Sequence, residues 1–383
     1  MRRLVLLATP IALFAGLAVG GSQAAAAGIT LYVSTSGADT NPCTQSKPCA
    51  TLQHAVDQAA VGGTVKVLPG TYNQTVNITK PVSLIGSGEN STIIDGSNID
   101  TGAGAGTQDP SALSSTPYYG VVSVQNNTGT GGAIKISGLG IDHAFVTAQE
   151  STNSDVPSDL SVYNDANPND KIAITEVTLG AVQDPADYGG IGLDVFDDKA
   201  NVSFLDGIST GNFQGAQLEG GGTGGHVTVT KSVFTHLVAC QGACAGGGSS
   251  YPAEGLSIIS DQPGTAVATI NSNTFQNYAG FGIAVDAGYA AGNCTSTVCT
   301  GNVNLIAKFN HFRMGACAAA SDDCSAIFLD ARAGNKLTAL LQGNSGTIRK
   351  PGHGIFEQPP TGTGPGDGIY SVTEINNHIT VTN

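Results

Sequence analysis

The run TAVATINSNTFQNYAGFGIAVD, Thr265 to Asp286, holds two strand-like pieces. The first, Ala268 to Phe275, reads apolar, x, apolar, x, x, small or apolar, x, apolar. The second, Gly282 to Asp286, reads Gly, apolar, x, apolar, acid. Both return in this order along the chain. Copies of the first are Ile134/Ile136/Leu139/Ile141, Ile172/Ile174/Val177/Leu179, Val202/Phe204/Gly207, Val227/Val229/Ser232/Phe234 and Leu305/Ala307/Asn310/Phe312, with a looser Leu337/Ala339/Gln342/Asn344. Copies of the second are Gly190 to Asp194, Gly215 to Glu219 and Ala326 to Asp330. Gly255 to Ile259 fits without the acid, and Gly354 to Glu357 is shortened. Val202 to Val227 and Gly190 to Gly215 are both 25 residues apart, a reasonable length for three short strands and three corners. Such a unit cannot bury its apolar face alone, so the copies must stack into one continuous core. Phe234, Phe275 and Phe312 are expected inside. Asn273 and Asn310 sit where a coil turns, and Asn both tolerates left-handed backbone and builds hydrogen-bonded ladders.

Upstream, Thr51 is a plausible N-cap for a short amphipathic helix with Leu52, Ala55, Val56 and Ala59 on one face. Strand-like runs follow at Val65 to Val67, Val76 to Ile78 and Val82 to Ile85. The order LYVSTSGADTNPC, PCATLQHAV, GGTVKVLPGTY, ITKPVSLIG resembles the N-terminal cap and first coils of secreted right-handed parallel β-helix proteins of the pectin-lyase-like superfamily. The detailed match covers Gly28 to Gly96; the rest matches in repeat style. The resemblance implies an all-β right-handed parallel β-helix with a short capping helix and loop insertions. It identifies no catalyst.

Arg2 and Arg3, an apolar run broken by Pro10, and the small residues Gly21 to Ala27 have the order of a secretory signal over residues 1–27. Residues 28–383 then form a single β-helix domain outside the cell. The net charge of −14 disfavours nucleic acid and anionic membranes as partners and suits cation binding. With 53 glycines and 11% charged residues, tight turns and stacked strands fit better than long helices. The eight cysteines fall as local pairs: Cys43/Cys49, Cys240/Cys244, Cys294/Cys299 and Cys317/Cys324. Loop-closure entropy and export favour four local disulfides over a metal site. Polar insertions near Asn98 to Tyr119 and Phe145 to Asp170 read as loops leaving coil corners.

The acid of the second unit carries the sharpest chemical question. Its two apolar residues point inward, so the middle and last positions point out. That sets Asp194 and Glu219 on neighbouring coils, and likewise Asp286 and Asp330. Carboxylates one strand apart must share a proton, hold a cation or splay into water. Three readings stay open: a Ca²⁺ site, a glycoside-cleaving pair, or turn caps on a wet face. The cluster Asp194-Val-Phe-Asp197-Asp198-Lys199 is the best local one. The resemblance to polysaccharide lyases implies Asp194, Asp197 and Asp198 as Ca²⁺ ligands, with Lys199 or Arg332 as the base; Glu219 lies one coil on.

Other fragments are weaker. Ile141-Asp142-His143 follows Gly140 where the pectate-lyase motif carries Trp, and Asp322-Asp323 lacks the companion motifs of polygalacturonases. His311 and Arg313 flank Phe312 and should project outward to line a groove; Arg349 to His353 is a basic patch. The chain has no Trp, leaving Tyr118, Tyr119, Tyr188, Tyr251, Tyr278 and Tyr289 as sugar platforms. No serine-hydrolase, zincin or phosphate-loop motif occurs. The sequence thus points to a monomeric extracellular protein acting on polysaccharide or a cell-surface glycan, through lyase-like chemistry on acidic glycans ahead of glycoside hydrolysis, or as a non-catalytic binder.

Overall fold

The computed structural model describes residues 28–96, 119–125, 131–142, 157–163, 169–180, 191–196, 199–212, 214–219, 225–237, 254–260, 263–278, 280–288, 301–314, 324–360 and 367–382. The signal-like segment, Asp197, Asp198, five of the cysteines and most of both polar insertions lie outside these residues. What is described is a right-handed parallel β-helix. Its strands form two parallel sheets, one of nineteen strands and one of nine. A typical coil runs Asn201–Leu205, turns at Asp206, continues as Ile208–Thr210, and crosses to Gln214–Glu219 in the nine-stranded sheet.

The first end is sealed by the helix Leu52–Gln58, where Thr51 Oγ1 accepts the His54 N–H at 3.4 Å. Leu52, Ala55, Val56 and Ala59 are all buried, as the periodicity predicts. Cys43 and Cys49 form the expected disulfide with their Cα atoms 4.6 Å apart. Cys324 is also disulfide-bonded. Cys240, Cys244, Cys294, Cys299 and Cys317 fall outside the described residues.

One corner repeats down the whole solenoid. Glu176, Asp206, Lys231, Ser272, Phe309 and Asn376 all adopt φ between 50° and 56°, and Gly138 and Gly343 take 64°. The next residue begins a side-chain ladder. Asn273 Nδ2 donates to Asn310 Oδ1 at 3.1 Å, Asn310 Nδ2 to Asn344 Oδ1 at 3.0 Å, and Asn344 Nδ2 to Asn377 Oδ1 at 3.0 Å. The same oxygens accept backbone N–H groups of the preceding coil, and each amide also donates to a backbone carbonyl. The ladder is the expected one. The left-handed residue, however, precedes each Asn: Ser272, Phe309, Gly343 and Asn376 take the positive φ, and the ladder Asn follows.

Inside, Phe234, Phe275 and Phe312 stack face to face at 5.0 and 5.1 Å. This explains the glycine that opens the second unit. A Cβ at Gly255 would lie 2.5 Å from Phe275 Cδ1, and one at Gly282 2.6 Å from Phe312 Cδ1. Where the phenylalanine position is taken by Gly346, which pairs with Phe312, the glycine position holds Ala326.

Two register expectations need correction. Asp194 lies opposite Gln217, and Glu219 opposite Phe196, so the two acids are not partners. The true frame starts at Gly192 rather than Gly190, since a two-residue slip leaves every apolar side chain facing the same way. Likewise Ala339 rather than Leu337 aligns with Leu305, which brings Asn344 into the ladder.

Candidate active site on the nine-stranded sheet

In this sheet Leu193, Val195, Leu256, Ile258, Ile283, Val285, Ile327 and Leu329 belong to the core. Side chains alternate along a strand, so the residues between them face outward. One outward row runs Ser123, Ser161, Asp194, Gln217, Ser257, Ala284, Phe328, Phe356. A second passes from the Glu219 position through Ile259 to Asp286 and Asp330. The sheet therefore changes character along the axis, from polar to aromatic and acidic.

The polar end is closed. Asp194 is 0% exposed, and neither carboxylate oxygen has a hydrogen-bond donor among the described residues. Burial pushes its carboxyl up to about 7. Ser161 Oγ on the adjacent strand donates to Ser123 Oγ at 3.1 Å. The expectation that the acid position opens onto water fails at Asp194: it points outward from the sheet yet lies fully buried.

The other end retains exposed area. Asp286 is partly exposed and lies directly opposite Asp330. Burial, then the negative charges of Asp330 and Glu254, push the Asp286 carboxyl up to about 8; Arg332 opposes them. Asp330 is buried and receives Arg332, with Nε 3.5 Å from Oδ2. Glu254 is raised by burial, against hydrogen bonds from Gln214 and Ser257; Gln214 Nε2 is 2.9 Å from its carboxylate. Tyr370 closes the edge: its hydroxyl accepts the Ala331 N–H at 2.8 Å and donates to the Gln358 carbonyl at 3.3 Å. Burial and the nearby charges of Asp330, Glu357 and Asp286 carry its phenol up to about 12, against that backbone bond. Beside the acids, Phe281 and Phe328 lie 4.7 Å apart, Phe328 and Phe356 5.9 Å, and His353 4.8 Å from Phe356.

The candidates from sequence separate accordingly. Arg332 meets Asp330 and is held as an ion-pair partner rather than set free as a base. Asp194 lies three strands from Asp286 in the same sheet. The Glu219 position is in strand register with Asp286, with Ile259 between them. Lys199 is partly buried just beyond Ile191–Phe196; Asp197 and Asp198 lie outside the described residues. His311 and Arg313 do project outward, but from the nineteen-stranded sheet, where His311 Nδ1 meets Ser345 Oγ at 3.2 Å. They do not converge with the acids. His353 leaves the basic patch to join the aromatic group, and Tyr278 is buried at 1% exposure, which removes it as a sugar platform. Asp142 is buried opposite Asp95. Of the other tyrosines proposed as platforms, Tyr118, Tyr188, Tyr251 and Tyr289 lie outside the described residues.

Glu254, Gln217, Phe281, Phe328, Phe356 and Tyr370 were not anticipated. A signal existed: the outward x of the repeat reads Phe at Phe328 and Phe356, and an apolar residue on an outward position asks for a partner.

No family model matches the chain. A protein of Bacillus subtilis strain 168, YwoF, described as uncharacterized, is 30% identical over 128 residues, which is 32% of this chain and 24% of that protein. The match thus spans about a quarter of that relative's length. Among solved structures, a pectin methylesterase from carrot aligns over 91% of this chain and 82% of its own at 14% identity, TM-score 0.40. The A-module of an Azotobacter vinelandii mannuronan C-5 epimerase aligns over 86% and 93% at 14% identity, TM-score 0.42. The Dettilon tailspike protein aligns over 86% and 63% at 12% identity, TM-score 0.42.

Proposed function

We propose that the protein is a secreted, monomeric, polysaccharide-active β-helix that cleaves glycosidic bonds at the exposed end of its nine-stranded sheet. One observation carries this reading: Asp286 and Asp330 face each other on adjacent strands in unlike environments. Neighbouring strands lie about 4.8 Å apart, and carboxyls about 5–5.5 Å apart suit a retaining mechanism. Paired acids whose surroundings drive them apart divide into donor and anion. Asp286 holds its proton at neutral pH and gives it to the leaving glycosidic oxygen. Asp330, steadied by Arg332, attacks the anomeric carbon as that bond breaks, leaving a glycosyl ester. Water then attacks the same carbon, Asp286 takes its proton, and Asp330 leaves as carboxylate. Phe328, Phe356 and His353 flank the path the sugar would follow.

Reducing-end release from a panel of polysaccharides tests this. Asp286→Asn and Asp330→Asn should each lower kcat by about 10²-fold or more while circular dichroism stays unchanged. Full activity in either variant refutes the assignment.

A second reading rests on Asp194. A buried carboxylate whose oxygens find no donor among the described residues suits a cation as well as a proton. Asp194, with Asp197 and Asp198, would hold Ca²⁺, which would neutralise a uronate carboxylate and acidify the neighbouring proton. Lys199 would take that proton, since Arg332 is engaged by Asp330. Unsaturated product absorbance that depends on Ca²⁺ selects this reading. No product from any glycan selects a non-catalytic binder.

A further inference from the structure

We infer that the exposed end of the nine-stranded sheet takes a glycan bearing free amino groups, an amine-rich hexosamine polymer, in preference to a uronate. The inference rests on the reading that this face contacts a glycan and adds its chemical class. Charge comes first. Glu254 and Asp330 bear on Asp286, Glu357 bears on the adjoining Tyr370, and Arg332, which counters them, is spent on Asp330. Asp286 already sits against two negative neighbours. A polyanion would add a third wherever it lay, whereas an ammonium group relieves all of them. The chain as a whole, at −14, repels a polyanion on approach and attracts a polycation.

The second observation is independent of charge. Beside the acids, one fully buried side chain of this sheet, the Ser325 hydroxyl, has no hydrogen-bond partner among the described residues. Ser325 stands in register between Phe281 and His353, within the aromatic group itself. Its oxygen can accept a hydrogen bond and receives none among the described residues. The missing complement is a donor. Ammonium and hydroxyl groups of an amino sugar supply donors and positive charge together; a uronate carboxylate supplies neither.

The test is titration calorimetry of the full chain with EDTA present, at pH 6 and low salt. The probes are a glucosamine hexamer, its fully N-acetylated counterpart and a galacturonate hexamer. The glucosamine hexamer should bind at least tenfold tighter than the acetylated one. Its affinity should fall as salt rises, and Glu254→Gln should shrink the preference several-fold. Equal binding of charged and acetylated hexamers, binding of the uronate in EDTA, or no binding at all overturns the inference. These outcomes are separable from failure of the catalytic reading. Cleavage retained by Asp286→Asn and Asp330→Asn sinks that reading whatever the binding preference, and cleavage confined to neutral glycans keeps it while the amine preference falls.

Discussion

Asn310→Ala removes the middle rung of the amide ladder, and its cost can be worked from the bonds involved. Asn310 is 0% exposed. Its Oδ1 accepts the Asn273 N–H at 3.0 Å and the Asn273 Nδ2 at 3.1 Å, and its Nδ2 donates to Ile270 O at 2.9 Å and Asn344 Oδ1 at 3.0 Å. Truncation strands two donors in an interior that water does not reach. Each buried unsatisfied group costs about 1–3 kcal/mol, and the two abandoned acceptors add less, so the loss should be about 3–6 kcal/mol. Asn377→Ala, on the last rung and partly exposed, lets water replace the amide and should cost about 1 kcal/mol. Guanidinium unfolding followed by far-ultraviolet circular dichroism measures both, with the slope reported alongside the midpoint because a solenoid can melt in sections. If the two variants agree within about 1 kcal/mol, the ladder is not the support claimed here.

Further outcomes follow from other parts of the coil. The Asp194 carboxyl, raised by burial to about 7, binds its proton more tightly in the folded chain than in the unfolded one, so its contribution to stability should fall as pH rises from about 4 to 7 and level off above. Asp194→Asn should lessen the slope, leaving the share of Asp286, whose carboxyl is also raised, to about 8; it should match the parent at pH 4 and exceed it at pH 8 in EDTA by up to roughly 4 kcal/mol, and lower stability at pH 8 would contradict the account. Phe275→Ala deletes a ring stacked on both sides and should cost about 3–5 kcal/mol by thermal unfolding, while a loss under about 1 kcal/mol would show that the stack contributes little. Gly282→Ala should destabilise by about 1–3 kcal/mol through its collision with Phe312, and a neutral result would mean the ring can move aside.

The architecture was readable because its causes are local and repeated. A period-two apolar pattern forces alternate burial, and a unit that cannot close its own core must stack. Phe275, Asn273 and the helix behind Thr51 announced their places in residue type alone. Register was less legible. Asp194 and Glu219 both end a Gly-apolar-x-apolar run, which pairs them by pattern, and only the strand pairing shows that Gly192, not Gly190, meets the ring position of the next coil. The acid pair was half legible: Asp286 and Asp330 follow from the repeat, but nothing in their spacing shows that Glu254 lies near or that Arg332 turns back on Asp330. Those are contacts between side chains across coils, set by rotamers and burial. The burial of Asp194 escaped the pattern for the same reason, since alternation fixes the side of a sheet and not what lies beyond it.

The glycine that opens each inner strand and the phenylalanine of the following coil share one space. Neither position has a fixed size; the pair does. Gly282 goes with Phe312, and one coil later Ala326 goes with Gly346. Mutational tolerance should therefore be written in pairs. Gly282→Ala and Phe312→Leu, each harmful alone, should be less harmful together than their sum, a coupling that a double-mutant cycle reads directly. A search for distant relatives that scores each column separately would discard the correlation that marks this core, whereas one that scores the two columns jointly would retain it.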